Sequence, residues 1–407
     1  MGDGVRYIGA AERRARLALR QRLAGEARAG SPEEVADSLV ALHGTDPATV
    51  YLAVGARLAD AASTVPETER ALYRDRSLLR MHGMRHTVFV FPTDLTAVVH
   101  ASTGLTVAAR ERAALLKHMA KAGAPDAAWL KDVEESALAA LVRRGQATAT
   151  ELAVDEPRLR EQFVYAAGKN YEGVHTVSTR LLRVLGVEGK VVRGRPLGSW
   201  TSSQFRWAVA PPHPELDVAE AQAALLGRWL AVCGPATEED LKWWTGWKVT
   251  DVRRALAAIG AQAVALDEGT GYVVDGDVGP VAGPARPWAA LLPALDPTAM
   301  GWRERDWYLA PELRPLLFDG SGNVGPTVWW NGRVVGAWAQ RKDGEIAWRV
   351  LVPGGVGREA ETAIAAEVER LQEWVGTTKV TPRFRTPVEK ELAATSGPSG
   401  GTPSGGV

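Results

Sequence analysis

The chain has 407 residues, and its 48 Lys plus Arg are matched by 48 Asp plus Glu, giving a formal net charge of zero. That length exceeds what one core usually supports, so about two to four domains are expected. Zero net charge excludes a polycationic molecule, so any nucleic-acid site has to come from local clustering.

The single cysteine, Cys233, excludes an internal disulfide and a Cys-rich zinc site, and after Leu230-Ala231-Val232 a buried structural thiol is expected. The N-terminus has no signal-like apolar segment, and no apolar run reaches the ~20 residues needed to span a bilayer. A cytoplasmic, nucleoid-associated bacterial monomer that does not meet membranes is therefore expected.

In chain order, residues 10–27 read as a helix. Ser31-Pro32-Glu33-Glu34 then gives an N-cap with Pro at the first helical position, opening a helix over 32–42. Further helices follow at about 47–60 and 66–73. Strands near 77–81 and 87–91 flank His82-Gly83-Met84-Arg85 as a wing-like hairpin.

A repeat appears next. Gly145-Gln146-Ala147-Thr148 with Leu152, and Gly234-Pro235-Ala236-Thr237 with Leu241, share one pattern, each after an amphipathic helix (126–144 and 217–232). Thr148 and Thr237 read as N-caps, with Glu151 and Asp240 three residues on forming a capping box. A third helix (about 174–185, and 248–259) and a hairpin close each repeat. Helix, helix, helix, hairpin is the winged helix-turn-helix order. From about 280 the texture turns to Trp, Gly and Pro with alternating strands. An Asn331-Gly332 hairpin and a helix over 357–375 follow.

The expected architecture is α+β: three tandem winged helix-turn-helix domains (1–120, 121–212, 213–280), a β-rich C-terminal region (281–392) and a disordered Gly/Ser/Thr/Pro tail (393–407).

Three stretches can carry function. Between residues 177 and 207, six cations (Arg180, Arg183, Lys190, Arg193, Arg195, Arg206) face one acid, Glu188, on an expected recognition helix and wing. They suit phosphate contact, with Trp200 and Ser202 adding to the surface, or else form a solvated charged face. His43-Gly44-Thr45-Asp46-Pro47 lies between two expected helices. It reads either as a structural turn, with His43 capping a helix C-terminus and Asp46 or Thr45 capping the next helix, or as a site. In the Gly/Pro-rich loop 295–308, Trp302 can stack on a base and Arg303 and Arg305 can meet phosphate; the same residues equally suit an intramolecular salt-bridged plug. No phosphate-binding loop, dinucleotide fingerprint or zinc-protease motif occurs, and the dispersed histidines argue against a metal site.

Several segments taken in order resemble the winged-helix DNA glycosylase family (AlkZ/YcaQ-like). They are Arg20–Gly25, Ala41–Arg57, Arg76–Arg85, Trp243-Trp244-Thr245-Gly246, Leu292–Asp296 and Val335–Trp338. The resemblance implies three winged helices cupping duplex DNA, with the active site in the first. It also implies hydrolysis of N7-alkylpurine N-glycosidic bonds, interstrand crosslinks included, without metal or cofactor. Active family members carry Gln-x-Gln or Gln-x-Asp where this chain has His43-Gly44-Thr45. By that correspondence His43 and Thr45 would position water, and Asp46 would supply negative potential. Arg57, Arg80 and Arg85, in matching segments, join the expected DNA contacts. A non-catalytic DNA-binding protein, either a lesion sensor or a regulator, is the alternative.

Overall fold

The computed structural model describes residues 4–169 and 172–394. Helix α1 (Ala10–Arg20) stops before Arg22, whose left-handed backbone (φ 59°) turns the chain, so the helix is shorter than the expected 10–27. The first unit then runs α2 (Pro32–Asp37), β1 (Leu42–His43), α3 (Pro47–Gly55), α4 (Thr64–Glu69), β2 (Leu78–His82) and β3 (Val88–Pro92). Ser31 caps α2 by accepting from the Glu34 amide at 3.2 Å, with Pro32 at the first helical position.

The expected helix over 32–42 ends at Asp37. Val40 turns at φ 64°, and Leu42-His43 pair with Val90 and Phe89 instead. An apolar run of this length fits a strand as well as a helix, and the sheet decides it. Similarly, α3 ends at Gly55 rather than 60.

Helices α5 (Thr96–Val99) and α6 (Leu105–Lys121) are joined by a π-helical turn and lead into the second unit. That unit contains α7 (Ala127–Arg144), β4 (Gln146–Ala147), α8 (Ala149–Asp155), a small hairpin of β5 (Gln162–Tyr165) and β6 (Gly173–Thr176), α9 (Val177–Val187), β7 (Val191–Pro196) and β8 (Phe205–Val209). The third unit contains α10 (Val218–Cys233), β9 (Ala236–Thr237), α11 (Glu238–Thr245), α12 (Val249–Ala258), β10 (Gln262–Leu266) and β11 (Gly269–Val273).

Each unit therefore runs helix, short strand, two helices, hairpin, the second with the small β5–β6 hairpin inserted between its two helices. In each sheet the short first strand pairs with the last: β1-β3-β2, β4-β8-β7 and β9-β11-β10. Thr148 and Thr237 form the reciprocal capping boxes read from the repeat, the latter with Asp240.

The C-terminal region is a four-stranded antiparallel sheet, β12 (Ala289–Leu292), β13 (Thr327–Trp330), β14 (Arg333–Gln340) and β15 (Ile346–Val350), with helices α13 (Arg314–Leu317), α14 (Arg358–Val375) and α15 (Pro387–Ala394). Asn331 (φ 45°) and Gly332 (φ 79°) close the Trp330–Arg333 hairpin in the left-handed conformations such a turn requires. The tail expected over 393–407 lies outside the described residues from 395 onward.

The second unit has its own core around Leu152, Phe163, Leu181 and Trp207. The first unit shares its interior with its neighbours. Met81, Phe89 and Phe91 pack with Trp229, Trp244 and Trp302, while Leu42, Tyr51 and Val90 pack with Trp338 and helix α14.

Candidate DNA-facing site at the first hairpin

Strand alternation divides the first sheet into two faces. His43 lies opposite Phe89, which in turn lies opposite Met81; Leu42, Val90 and Arg80 share the other face. His43 is thus a strand residue and not the helix-capping cation of the turn reading. Its ring meets Phe89 edge-on at 5.2 Å. Its Nδ1 is enclosed and has no hydrogen-bond partner among the described residues. Burial, reinforced by the Arg85 guanidinium, pushes its pKa down to about 4, so the imidazole is neutral at pH 7.

Gly44 donates its amide to the Val88 carbonyl at 2.8 Å, and a Cβ there would lie 3.2 Å from the Phe89 backbone. Thr45 is half-buried, and its hydroxyl makes no hydrogen bond among the described residues. Asp46 is committed differently. Its Oδ1 accepts from the Ala48 amide at 3.1 Å, capping α3, and its Oδ2 accepts from the Arg383 amide at 3.0 Å. Both carboxylate oxygens hold backbone, one of them from the C-terminal segment.

The hairpin tip bends through two non-glycine left-handed residues, Arg85 (φ 53°) and His86 (φ 60°). Such backbone costs on the order of 1 kcal/mol per residue and persists where the surroundings enforce it. Here the Arg85 guanidinium stacks 4.1 Å over Trp243, and Arg305 lies 5.0 Å over the same ring. Burial and the neighbouring Arg305 push the Arg85 pKa down to about 10. Nε and Nη2 of Arg305 are enclosed without a hydrogen-bond partner among the described residues.

Other expected contacts are placed differently. Arg57 is fully buried and chelates Asp296 at 2.7 and 2.9 Å, so it has no surface to offer DNA. Trp302 is interior, edge-on to Trp307 at 5.0 Å, and Trp200 packs 5.1 Å from Tyr51; neither ring is open to a base. Arg303 pairs with Glu239 at 3.0 Å, and the amides of Arg303 and Glu304 donate to Asp240, as the intramolecular plug required.

The basic stretch is also less bare than its sequence window. Lys190 contacts Glu134 and Glu188, Arg195 lies 3.2 Å from Glu69, Arg206 lies 2.6 Å from Glu151, and Arg183 lies 3.4 Å from Glu111. Apart from Glu188, these acids come from outside the window, which is why counting within it overstated the surplus. Arg180 stacks 3.5 Å over Tyr165 and bonds His175. Ser202 sits at the β7–β8 tip, accepting from the Gln204 amide. Arg193 has no ion pair among the described residues. Buried Arg80 also lacks one, with Nε and Nη2 unpartnered. Arg383 was not anticipated; its only sequence signal is the run Arg383-Phe384-Arg385.

A sequence model described as DNA glycosylase AlkZ-like matches residues 36–374. The chain belongs to the AlkZ-like DNA glycosylase family. Membership makes DNA the substrate. No curated protein matches the chain. Among solved structures, Streptomyces sahachiroi DNA glycosylase AlkZ superposes with a TM-score of 0.69 at 18% identity, covering 92% of this chain and 98% of that one. That likeness shows a shared fold. Among the described residues, no helix is long and apolar enough to cross a membrane, and no cluster of three or more His, Cys, Asp or Glu could hold a metal ion.

Proposed function

We propose that this protein is a monofunctional glycosylase hydrolysing the N-glycosidic bond of N7-alkylated purines in duplex DNA, interstrand crosslinks included. Its three repeated units act as tandem winged helices, with the site in the first. The observation that carries the reading is His43: a neutral imidazole whose enclosed Nδ1, like the nearby Thr45 hydroxyl, has no hydrogen-bond partner among the described residues.

The chemistry needs little more. An N7-alkylated purine is a cationic leaving group, so departure requires no strong acid. What remains is to hold a water against the oxocarbenium-like sugar. Neutral His43 accepts that water's proton and Thr45 orients it. Arg85 and Arg305 would repel a sugar cation placed directly against them, so they serve the flanking phosphates. Asp46 is a positioning residue that fixes α3 and the Arg383 segment.

Release of 7-alkylguanine from alkylated duplex DNA tests this. His43→Ala should abolish release while duplex binding persists; unchanged release removes His43 from the mechanism. Since His43 is neutral at pH values above about 4, the wild-type rate should be flat from about pH 6 to 8. An inflection at the usual histidine value would contradict a buried neutral acceptor.

One observation favours a second reading, a DNA-binding protein without catalysis: both Asp46 oxygens are occupied, so the motif itself offers no free carboxylate to a sugar cation. No release from any lesion, together with preference for one duplex by ~10³ or more over random DNA, would establish a sequence-specific regulator.

A further inference from the structure

The face of the first sheet opposite His43 meets the second unit. Strand β2 packs there against β7 and α9, close enough that a Cβ on Gly186 would lie 3.6 Å from the His82 ring. Arg80 projects into this seam. It is 4% exposed, yet its Nε and Nη2 have no hydrogen-bond partner among the described residues. From β7, Arg193 reaches the same seam, its guanidinium 4.5 Å over Phe205 and its Nε also unpartnered. The hydroxyls of Tyr51 and Tyr73 are enclosed beside one another, and Tyr51 feels the charge of Arg80. From the C-terminal segment comes Arg383, solvent-exposed, with its backbone amide fixed by Asp46.

The charges do not cancel. Arg80, Arg183 and Arg383 act together on Arg193, whose pKa is pushed down to about 10 by burial and by these like charges. Two acids come near. Glu69 lies 3.2 Å from Arg195, and Glu111 lies 3.1 Å from His86 and 3.4 Å from Arg183. Neither forms an ion pair with Arg80, Arg193 or Arg383. Arginine does not escape by losing its proton, and buried N–H groups in native proteins nearly always find acceptors. Three guanidinium groups from three parts of the chain, closed at the bottom and open at the rim, have the form of an anion seat.

We propose that Arg80, Arg193 and Arg383 together grip one phosphodiester group of bound DNA. Arg80 forms the floor, and the more accessible Arg193 and Arg383 close over the phosphate. Guanidinium forks match phosphate oxygens bidentately, which suits a seat of this composition. The site lies across the hairpin from His43, so one β-ribbon carries the base-directed group on one face and a phosphate-directed group on the other. The proposal rests on the reading of this protein as a duplex-DNA binder but does not need the glycosylase chemistry.

The test measures affinity for a short undamaged duplex across a range of salt concentrations. Each phosphate neutralised contributes close to one unit to the slope of log Kobs against log salt. The combined variant Arg80→Met, Arg193→Gln, Arg383→Gln should therefore lower the slope by about 1, because the three share one phosphate. A fall of about 3 would mean three separate surface contacts, and no fall would mean none; either overturns the proposal. If the Arg80 substitution impairs folding, Arg193→Gln with Arg383→Gln alone should weaken low-salt binding about tenfold, and unchanged binding overturns it. Inorganic phosphate that raises the Tm of the wild type, with no change of DNA slope in the variants, would assign the seat to a free anion instead. Alkylguanine release is followed in parallel. A wild type that releases nothing but shows the slope change loses the glycosylase reading and keeps this one.

Discussion

Two seams of the first unit bury arginines in opposite ways. Toward the C-terminal sheet, Arg57 donates five hydrogen bonds, to both oxygens of Asp296, to Thr298 and to the carbonyls of Gln21 and Ala53. Toward the second unit, Arg80 is almost as deep but has no ion pair among the described residues. An arginine whose donors are all matched holds domains together. One left with unused donors beside like charges raises the potential of a surface and adds little to cohesion. The same contrast separates two hairpins of one topology. The acidic β10–β11 turn is docked, Asp267 on Tyr7 and Glu268 on Arg13 at 2.6 Å, whereas the β7–β8 hairpin carries Arg193, which has no ion pair among the described residues.

The contrast is most open to attack at Arg57. Arg57→Ala strands a buried Asp296 and should cost about 3–5 kcal/mol in denaturant unfolding. A loss near that of an ordinary surface substitution would show that the seam is not held as described.

Next comes the pH response of the unpaired seam. His82 is buried, and burial together with Arg193 and Arg183 pushes its pKa down to about 3, against an ordinary value near 6.5. The folded state then takes up its proton only at about pH 3, while the unfolded state takes it up near 6.5. Stability is complete above about 6.5 and is lost as pH falls toward 3, by about 4–5 kcal/mol from this residue. His82→Gln should flatten that part of the stability profile, and an unchanged profile would place the cause elsewhere.

The docked hairpin gives a smaller effect. Glu268→Ala leaves the buried Arg13, among the described residues, with the Trp307 face 4.3 Å away, and should cost about 1–2 kcal/mol with no change in the salt slope of DNA binding. A changed slope would put this hairpin on DNA as well. Smallest is Arg195→Ala. Its side chain is 56% exposed and its pairing with Glu69 is screened, so a stability change under about 0.5 kcal/mol is expected.

Much of the secondary structure was legible because local chemistry enforces it: the two Thr capping boxes, the Ser31-Pro32 start and the Asn331-Gly332 turn. What failed was decided at long range. Residues 39–42 carry an apolar pattern compatible with helix, and only pairing with β3 makes the last of them a strand. The basic stretch looked unopposed because Glu134, Glu111, Glu69 and Glu151 arrive from other elements. Trp200, Trp302 and Arg57 are of residue types that suit both a DNA face and a packed seam, and sequence spacing does not distinguish the two. His43, Thr45 and Asp46 stand out together in the sequence; that both Asp46 oxygens hold backbone amides emerges only with the Arg383 segment in place.

The close approach of Gly44 to the backbone of Phe89 limits what this turn can become. The middle position has little freedom to take a side chain, since even a methyl group would press on the neighbouring strand. A change of the side chain on either side of it leaves that constraint in place. Anyone grafting glutamines in place of His43 and Thr45 should inherit the glycine along with the site.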